Sequence, residues 1–370
     1  MARVVVVGGG IVGTMHALFA SRRGHEVVQV ERNGQPRSAS VRNLGLVWVS
    51  GRAPGDELEV ALRARELWEE IGADVPGVGF DASGSLTLAL DPAELTVLEQ
   101  AAAQPDAGAR GLHLLDPDEV RRRYPAVRGQ VLGGLFCERD AQVEPRTTLG
   151  SLRVQLGVRG GYRFLAGRPA VGIDTGRVVD APGEVHRGDL VVVCPGHDAD
   201  PLGGDPLAGA PLRRCRLLLL QTAPLTEPLM TSVADADSLR YYPAYRHLPA
   251  LAELPRQTPL AERWRAQLLM VQRASGALTV GDTHEYDEPF DFAVDEAPLE
   301  HLQKRAAALL GRALPPVARR WVGVYSAPLE EAVAYRKELA PGVLLVTGLG
   351  GRGMTLSPAV AETTLDEAGL

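Results

Sequence analysis

The chain opens with a strand, a glycine turn and a helix in immediate succession, "RVVVVGGGIVGTMHALFASRRGHEVVQVE" from Arg3 to Glu31. The β-branched run Arg3 to Val7 reads as a strand buried on both faces. Gly8, Gly10 and Gly13 then spell G-x-G-x-x-G, and a helix is expected from Ile11 to Arg23, closed by Gly24. A second strand, Glu26 to Val30, ends at Glu31. In this order the glycines have distinct roles: Gly8 permits the tight turn, Gly10 lets the backbone approach a pyrophosphate, and Gly13 lets helix and strand pack closely. The helix N-terminus, with Ile11 and Val12 in its first turn, offers free N–H groups and a positive dipole end to phosphates. Glu31, followed by Arg32, stands where a carboxylate binds the ribose hydroxyls of an adenosine. A carboxylate there disfavours a 2′-phosphate, which argues against NADP and leaves NAD or FAD.

Composition narrows the class. The formal charge is -7, with no announced basic face, so a nucleic-acid partner is not expected. The 370 residues are enough for two or three domains. Cys137, Cys194 and Cys215 are far apart and odd in number, which fits reduced thiols in a cytoplasmic protein and gives no paired redox or metal motif. No apolar run approaches the roughly 20 residues of a membrane span. The apolar start is not expected to be a signal peptide, because glycines interrupt it at once. The histidines show no metal-ligand spacing; His25, His113, His186 and His301 read as ordinary surface or turn residues.

The far end of the chain separates FAD from NAD. "PGVLLVTGLGGRGMTLSP", residues 341 to 358, runs a strand (Val343 to Thr347) into Gly348, Gly350, Gly351 and Gly353, then into a helix of small residues after Ser357-Pro358. A second glycine-rich crossing brings another helix N-terminus to a ligand. Between the two ends, "VHRGDLVVVCPG" is a third strand ending at Gly196, and "SASVRNLG" (Ser38 to Gly45) follows Glu31 after one short loop.

These pieces together resemble the D-amino-acid oxidase-like family of flavoproteins, which includes glycine and sarcosine oxidases. The resemblance implies that the N-terminal unit binds the ADP half of FAD. It implies that Ser40, Arg42 and Asn43 pass the pyrophosphate and flavin, and that the strand ending at Gly196 closes the sheet near the adenosine. The loop carrying Gly350, Gly351, Gly353, Met354 and Thr355 would lie at the flavin's pyrimidine edge. "RDAQVEP" (Arg139 to Pro145) resembles the family's D-x-x-V-[DE]-P turn. "RNLGLVWVSG", with the helix after it, resembles more narrowly a branch associated with bacterial breakdown of 2-aminoethylphosphonate-type compounds.

The expected fold is α/β, α+β overall: a Rossmann-like FAD-binding domain built from a discontinuous chain, plus a substrate domain with a mostly antiparallel sheet. The first takes residues 1–206 and 320–370, the second 207–319. "HDADPLGGDPLAGAP" (His197 to Pro211) reads as the crossing loop. The strands "CRLLLLQT", "SLRYYPAY", "AQLLMVQRA" and "GALTVGDTHEY", followed by the helix "PLEHLQKRAAALLGRAL", build the second domain. "SGSLTLAL" (Ser83 to Leu90) adds an edge strand.

Flavin oxidation of an amine needs little catalytic machinery from the protein. The flavin N5 takes a hydride from the carbon bearing nitrogen and water hydrolyses the imine. The protein must align that C–H bond, keep the amine neutral and exclude water. Candidates for the substrate pocket are Arg240 and Tyr242, which share a face if their segment is a strand, together with His284, Arg352 and Trp48. The family often carries W-x-G-x-R, whose arginine pairs with a substrate carboxylate. Here the stretch reads "WVGVYS", and Tyr325 stands in the arginine's place. That favours an anion of another shape. The covalent-flavin cysteine of some sarcosine oxidases has no counterpart, since no cysteine lies beyond Cys215, so the resemblance implies non-covalent FAD. The lysine that some members of the family place near the flavin for oxygen chemistry has no counterpart, since the only lysines, Lys304 and Lys337, are expected in a helix and a surface loop, which leaves O2 or another electron acceptor open. Three readings follow: an amine oxidoreductase acting on a small anionic amine such as 2-aminoethylphosphonate or its N-methyl form; an oxidase of glycine, sarcosine or a D-amino acid; and an NAD-dependent or regulatory nucleotide-binding protein.

Overall fold

The computed structural model describes residues 1–198 and 206–370. β1 (Arg3–Val7) enters α1 (Ile11–Arg22) and returns as β2 (Glu26–Glu31), which pairs parallel with β1. Val4, Val5 and Val6 have no exposed surface, as a strand covered on both faces requires. Leu190–Val193 pairs parallel on the other side of β1 and Val343–Thr347 pairs parallel beyond it, so the two glycine-rich crossings lie in one sheet. Tyr162–Ala166 and Tyr335–Ala340 complete the six strands, the latter antiparallel at its edge. This is a Rossmann-like layer, with α1 packed against the C-terminal helix Gly353–Glu367.

The second layer is an eight-stranded mixed sheet. Its long pair, Leu212–Pro224 and Val317–Pro328, is antiparallel from Leu212↔Pro328 to Thr222↔Val317, with one irregularity after Gln221. Ala277–Gly281 and Leu269–Gln272 follow, then Ser232–Asp235, Ser85–Ala89, Gly133–Cys137 and Leu112–Leu115. The sheet therefore draws strands from the first 140 residues and runs past residue 320 before the chain returns to the parallel layer. The helix Glu296–Leu310 buries Leu299, Leu302, Leu309 and Leu310, the first, second and third of them at helical spacing.

Four sequence expectations change. Ser85–Ala89 pairs on both sides, with Ser232–Asp235 and Gly133–Cys137, and is interior rather than an edge strand. "VHRGDLVVVCPG" is two strands in two sheets; it breaks at Gly188, where a Cβ would lie 2.9 Å from the Arg3 carbonyl oxygen. "SLRYYPAY" is not a strand. Asp235 accepts the Ser238 N–H at 3.1 Å and caps a 3-10 turn, Ala236–Tyr241; Pro243 opens another, Pro243–Tyr245. A proline there removes a ladder donor, which ends the strand pattern. The C-terminal helix starts at Gly353 and holds Pro358 inside it. The expected crossing loop at His197 to Pro211 falls in part on residues 199–205, outside the described residues. No helix among the described residues is long and apolar enough to cross a membrane.

Candidate functional site

Where β1 ends, Gly8 adopts φ +111°, and a side chain there would meet the Cys194 carbonyl oxygen at 2.2 Å. Gly13 sits against the Gly8 carbonyl oxygen, again 2.2 Å from where a Cβ would be. The turn is thus closed to any other residue at these two positions. The Gly9 N–H donates to Glu31 Oε2 at 2.6 Å, and Asn33 donates its backbone and side-chain N–H groups to Oε1 at 2.8 and 3.0 Å. Glu31 therefore ties the end of β2 to the glycine turn. Ser40 Oγ accepts the Ile11 N–H at 2.9 Å. The other first-turn amides, those of Val12 and Gly13, have no intrahelical acceptor, and both residues line a cavity.

That cavity is about 690 Å³, within the roughly 300–1,000 Å³ typical of small-molecule and cofactor sites. It runs from the glycine turn and Glu31, past Trp48 and the loop Gly348 to Thr355, to the long strand at Tyr325 and the segment around Tyr242. Every candidate residue singled out from the sequence lines it except Arg42. Arg42 donates to the Val322 carbonyl at 3.1 Å and belongs to a neighbouring cleft with Arg32 and His197. Asn43 acts locally: it donates to the Ala39 carbonyl at 2.7 Å and accepts the Gly45 N–H at 2.6 Å.

The wall bearing Trp48 is pinned by a buried carboxylate. Asp140 accepts the N–H groups of Val49 and Ser50 at 2.6 and 3.0 Å, and the hydroxyls of Ser50 and Ser85 at 2.6 Å each. This is the aspartate of "RDAQVEP", so that motif shapes the pocket from behind. Trp48 donates its indole N–H to Ser232 Oγ at 3.2 Å and lies 6.4 Å from the Tyr242 ring. Gly51 makes room for that tyrosine; a Cβ would meet the ring at 2.2 Å. Thr355 Oγ1 accepts the Trp48 N–H at 3.3 Å, which joins the wall to the C-terminal loop.

The two arginines favoured from sequence have their charges engaged. Arg240 pairs with Asp237 at 2.6 Å and donates to the Pro255 carbonyl. Arg352 pairs with Glu57 at 2.9 Å and donates to the Leu349 and Ala332 carbonyls. Buried Arg52 stands 3.7 Å from the same Glu57. Two other arginines are placed differently. Arg213 and Arg265 stack on the ring of Tyr286 at 3.8 and 4.7 Å, all three lining the cavity. Among the described residues neither has an ion-pair partner. Tyr325 and Tyr286 both interact with the Cys215 thiol, and burial pushes both phenols above their ordinary value. Tyr325 also approaches the C-terminal loop, its hydroxyl 3.4 Å from the position of a Gly351 Cβ.

Sequence reasoning missed Asp282, beside His284 in "GDTHEY". Its side chain is 13% exposed and lines the cavity; Oδ1 is buried without a hydrogen-bond partner and Oδ2 is 4.0 Å from His284 Nε2. Burial pushes its carboxyl above the ordinary carboxylate range, opposed by His284. The available signal was a charged residue at the end of the buried run "ALTVG". It also missed Arg153, which donates to the Gly9 carbonyl, stacks on Phe164 at 4.0 Å and stands beside Glu31. A mid-helix arginine gives no such signal. His186, read as a surface residue, is buried 2.8 Å from Asp180 in a network with Arg168 and Glu184.

A family profile described as FAD dependent oxidoreductase (DAO) matches residues 3–367. The chain belongs to this family. The residues fit its cofactor: the turn at Gly8 and Gly13 excludes side chains, the first turn of α1 lines the cavity, and Glu31 lines it beside that turn. Glycine oxidase from Bacillus cereus ATCC 14579 is similar in fold, with a TM-score of 0.79 at 18% identity, covering 100% of this chain and 96% of that one. L-proline dehydrogenase from P. horikoshii gives 0.78 at 19%, covering 100% and 94%. At these identities the solved structures show the fold alone. An opine oxidase polypeptide of Rhizobium meliloti is 26% identical over 171 residues, 42% of this chain and 45% of its own length. The chain thus spans less than half the length of the first curated relatives it matches.

Proposed function

We propose that this DAO-family protein is an amine oxidoreductase acting on a small anionic amine. The observation that carries the reading is the continuity of one cavity from the dinucleotide turn to a chamber holding Asp282, Tyr242 and Tyr325. FAD, when bound, supplies the hydride acceptor for the carbon next to nitrogen. The chain's own residues do the rest. Trp48 and Tyr242 wall the chamber and exclude water, Tyr325 offers a hydroxyl donor beside the C-terminal loop, and Arg213 and Arg265 present positive charge at its far side.

For the finer assignment we propose 2-aminoethylphosphonate or its N-methyl derivative. Two features support an anion other than a planar carboxylate. Tyr325 replaces the forked arginine of W-x-G-x-R, which removes bidentate geometry. Arg213 and Arg265 flank one ring without carboxylate partners among the described residues, a pair suited to a tetrahedral anion with several oxygens. The second reading, glycine, sarcosine or a D-amino acid, rests on the likeness to glycine oxidase. Stopped-flow flavin reduction under anaerobic conditions separates them: the aminophosphonates should reduce the flavin faster than glycine, sarcosine or D-alanine. The reverse order removes the phosphonate assignment.

A further inference from the structure

A carboxylate oxygen buried in a cavity without a hydrogen-bond partner is costly unless something arrives to satisfy it. Oδ1 of Asp282 is such an atom among the described residues, the only hydrogen bond to the carboxylate coming from the Asp282 backbone N–H. Gln267 donates its backbone N–H to the Asp282 carbonyl at 2.9 Å and so fixes the backbone, not the carboxylate. The titratable groups around it are His284 on its own segment, Tyr242 from the 3-10 segment, and Tyr325 and Cys215 from the long strand pair. Burial keeps both phenols and the thiol neutral at pH 7. His284 is therefore the only near neighbour among the described residues that can carry positive charge, and at 4.0 Å it does not donate to the carboxylate.

We infer that Asp282 is a catalytic residue that receives the substrate's ammonium group and takes one proton from it. The inference rests on the amine reading above and names the residue that makes the amine reactive. The step balances simply. One N–H bond of R–NH3+ breaks, its electron pair stays on nitrogen, and the proton forms an O–H bond on the Asp282 carboxylate. No electrons are exchanged with any oxidant. The product is a neutral amine whose lone pair lies next to the C–H bond to be oxidised, beside a neutral carboxylic acid that suits a dry site. The proton then leaves to water.

The test compares wild type with Asp282→Asn and Asp282→Glu as flavin-loaded proteins. At pH 7, Asp282→Asn should slow anaerobic flavin reduction by 2-aminoethylphosphonate roughly 10²–10⁴-fold, the span of general acid–base contributions. That deficit should shrink as pH rises, because the substrate then arrives already neutral; a merely structural defect has no reason to follow the amine's titration. Binding is read separately by calorimetry with 2-amino-2-methylpropylphosphonate, which has no C–H next to nitrogen and cannot be oxidised. Its affinity at pH 7 should fall at least tenfold in Asp282→Asn. Should Asp282→Asn fold poorly, Asp282→Glu keeps a carboxylate and is expected to reduce its flavin at least tenfold faster than the Asn variant. Equal rates in Glu and Asn variants overturn the assignment. So does a wild-type rate and pH profile in Asp282→Asn while the wild type is reduced by amines, an outcome that leaves the amine reading standing. A wild type whose flavin no amine reduces removes both.

Discussion

Glu31 accepts the Gly9 N–H at 2.6 Å, so the carboxylate at the end of β2 is tied to the glycine turn after β1. We propose that Glu31 also accepts a ribose hydroxyl of FAD, a bond that replacement with alanine removes together with the Gly9 one. FAD affinity should fall by about 1.5–3 kcal/mol, roughly one to two decades in Kd. Fluorescence titration of the deflavinated protein with FAD reads this directly. An unchanged Kd removes Glu31 from the ribose.

Gly13→Ala should be more damaging. Its Cβ would stand 2.2 Å from the Gly8 carbonyl oxygen, against backbone that cannot move aside. The expected result is folded protein purified without flavin, or a marked loss of thermal stability. Near-wild-type flavin content would show that the crossing of β1 and α1 is looser than the structure has it.

Much of the cofactor half is legible in the sequence because its constraints are local. A β-branched run, a glycine triplet and an acid at the end of the second strand each leave a mark within 29 residues of one another. The substrate half is less legible because its residues come from segments scattered between Trp48 and Arg352, and their roles depend on pairings the sequence does not display. Arg240 looks like an anion ligand until Asp237 is found beside it, and the tyrosines around it look like a strand until Pro243 and the Asp235 cap turn it into 3-10 helix. Asp282 and Arg213 become visible only when the folded chain shows, among the described residues, Asp282 Oδ1 buried without a hydrogen bond and Arg213 without a carboxylate partner.

The raised carboxyl of Asp282 has a consequence for stability. The native state holds that proton more tightly than the unfolded chain does, so the native state loses stability as pH rises from the ordinary aspartate value through the raised one. Asp282→Asn abolishes this loss. The apo variant should therefore melt at a higher temperature than wild type at pH 8, with the gain shrinking toward pH 4. A destabilised variant at pH 8 would mean that the carboxylate is satisfied in the folded protein.

The three cysteines should be chemically silent. All are buried, and burial pushes the Cys215 thiol up to about 11 and the Cys137 and Cys194 thiols further. The thiolate is the reactive form, so iodoacetamide at pH 8 should label none of them in the native protein and all three after denaturation. Rapid native labelling would place a thiol at the surface.

We propose above that this cavity oxidises an amine with FAD. The most direct measurement is the visible absorbance of the purified protein under anaerobic conditions, before and after adding 2-aminoethylphosphonate, with 2-hydroxyethylphosphonate as the matched compound lacking the nitrogen. The account predicts a flavin spectrum that the amine bleaches and the alcohol leaves intact, since the alcohol brings no ammonium proton for Asp282. Protein without flavin, or flavin bleached equally by the alcohol, would contradict it.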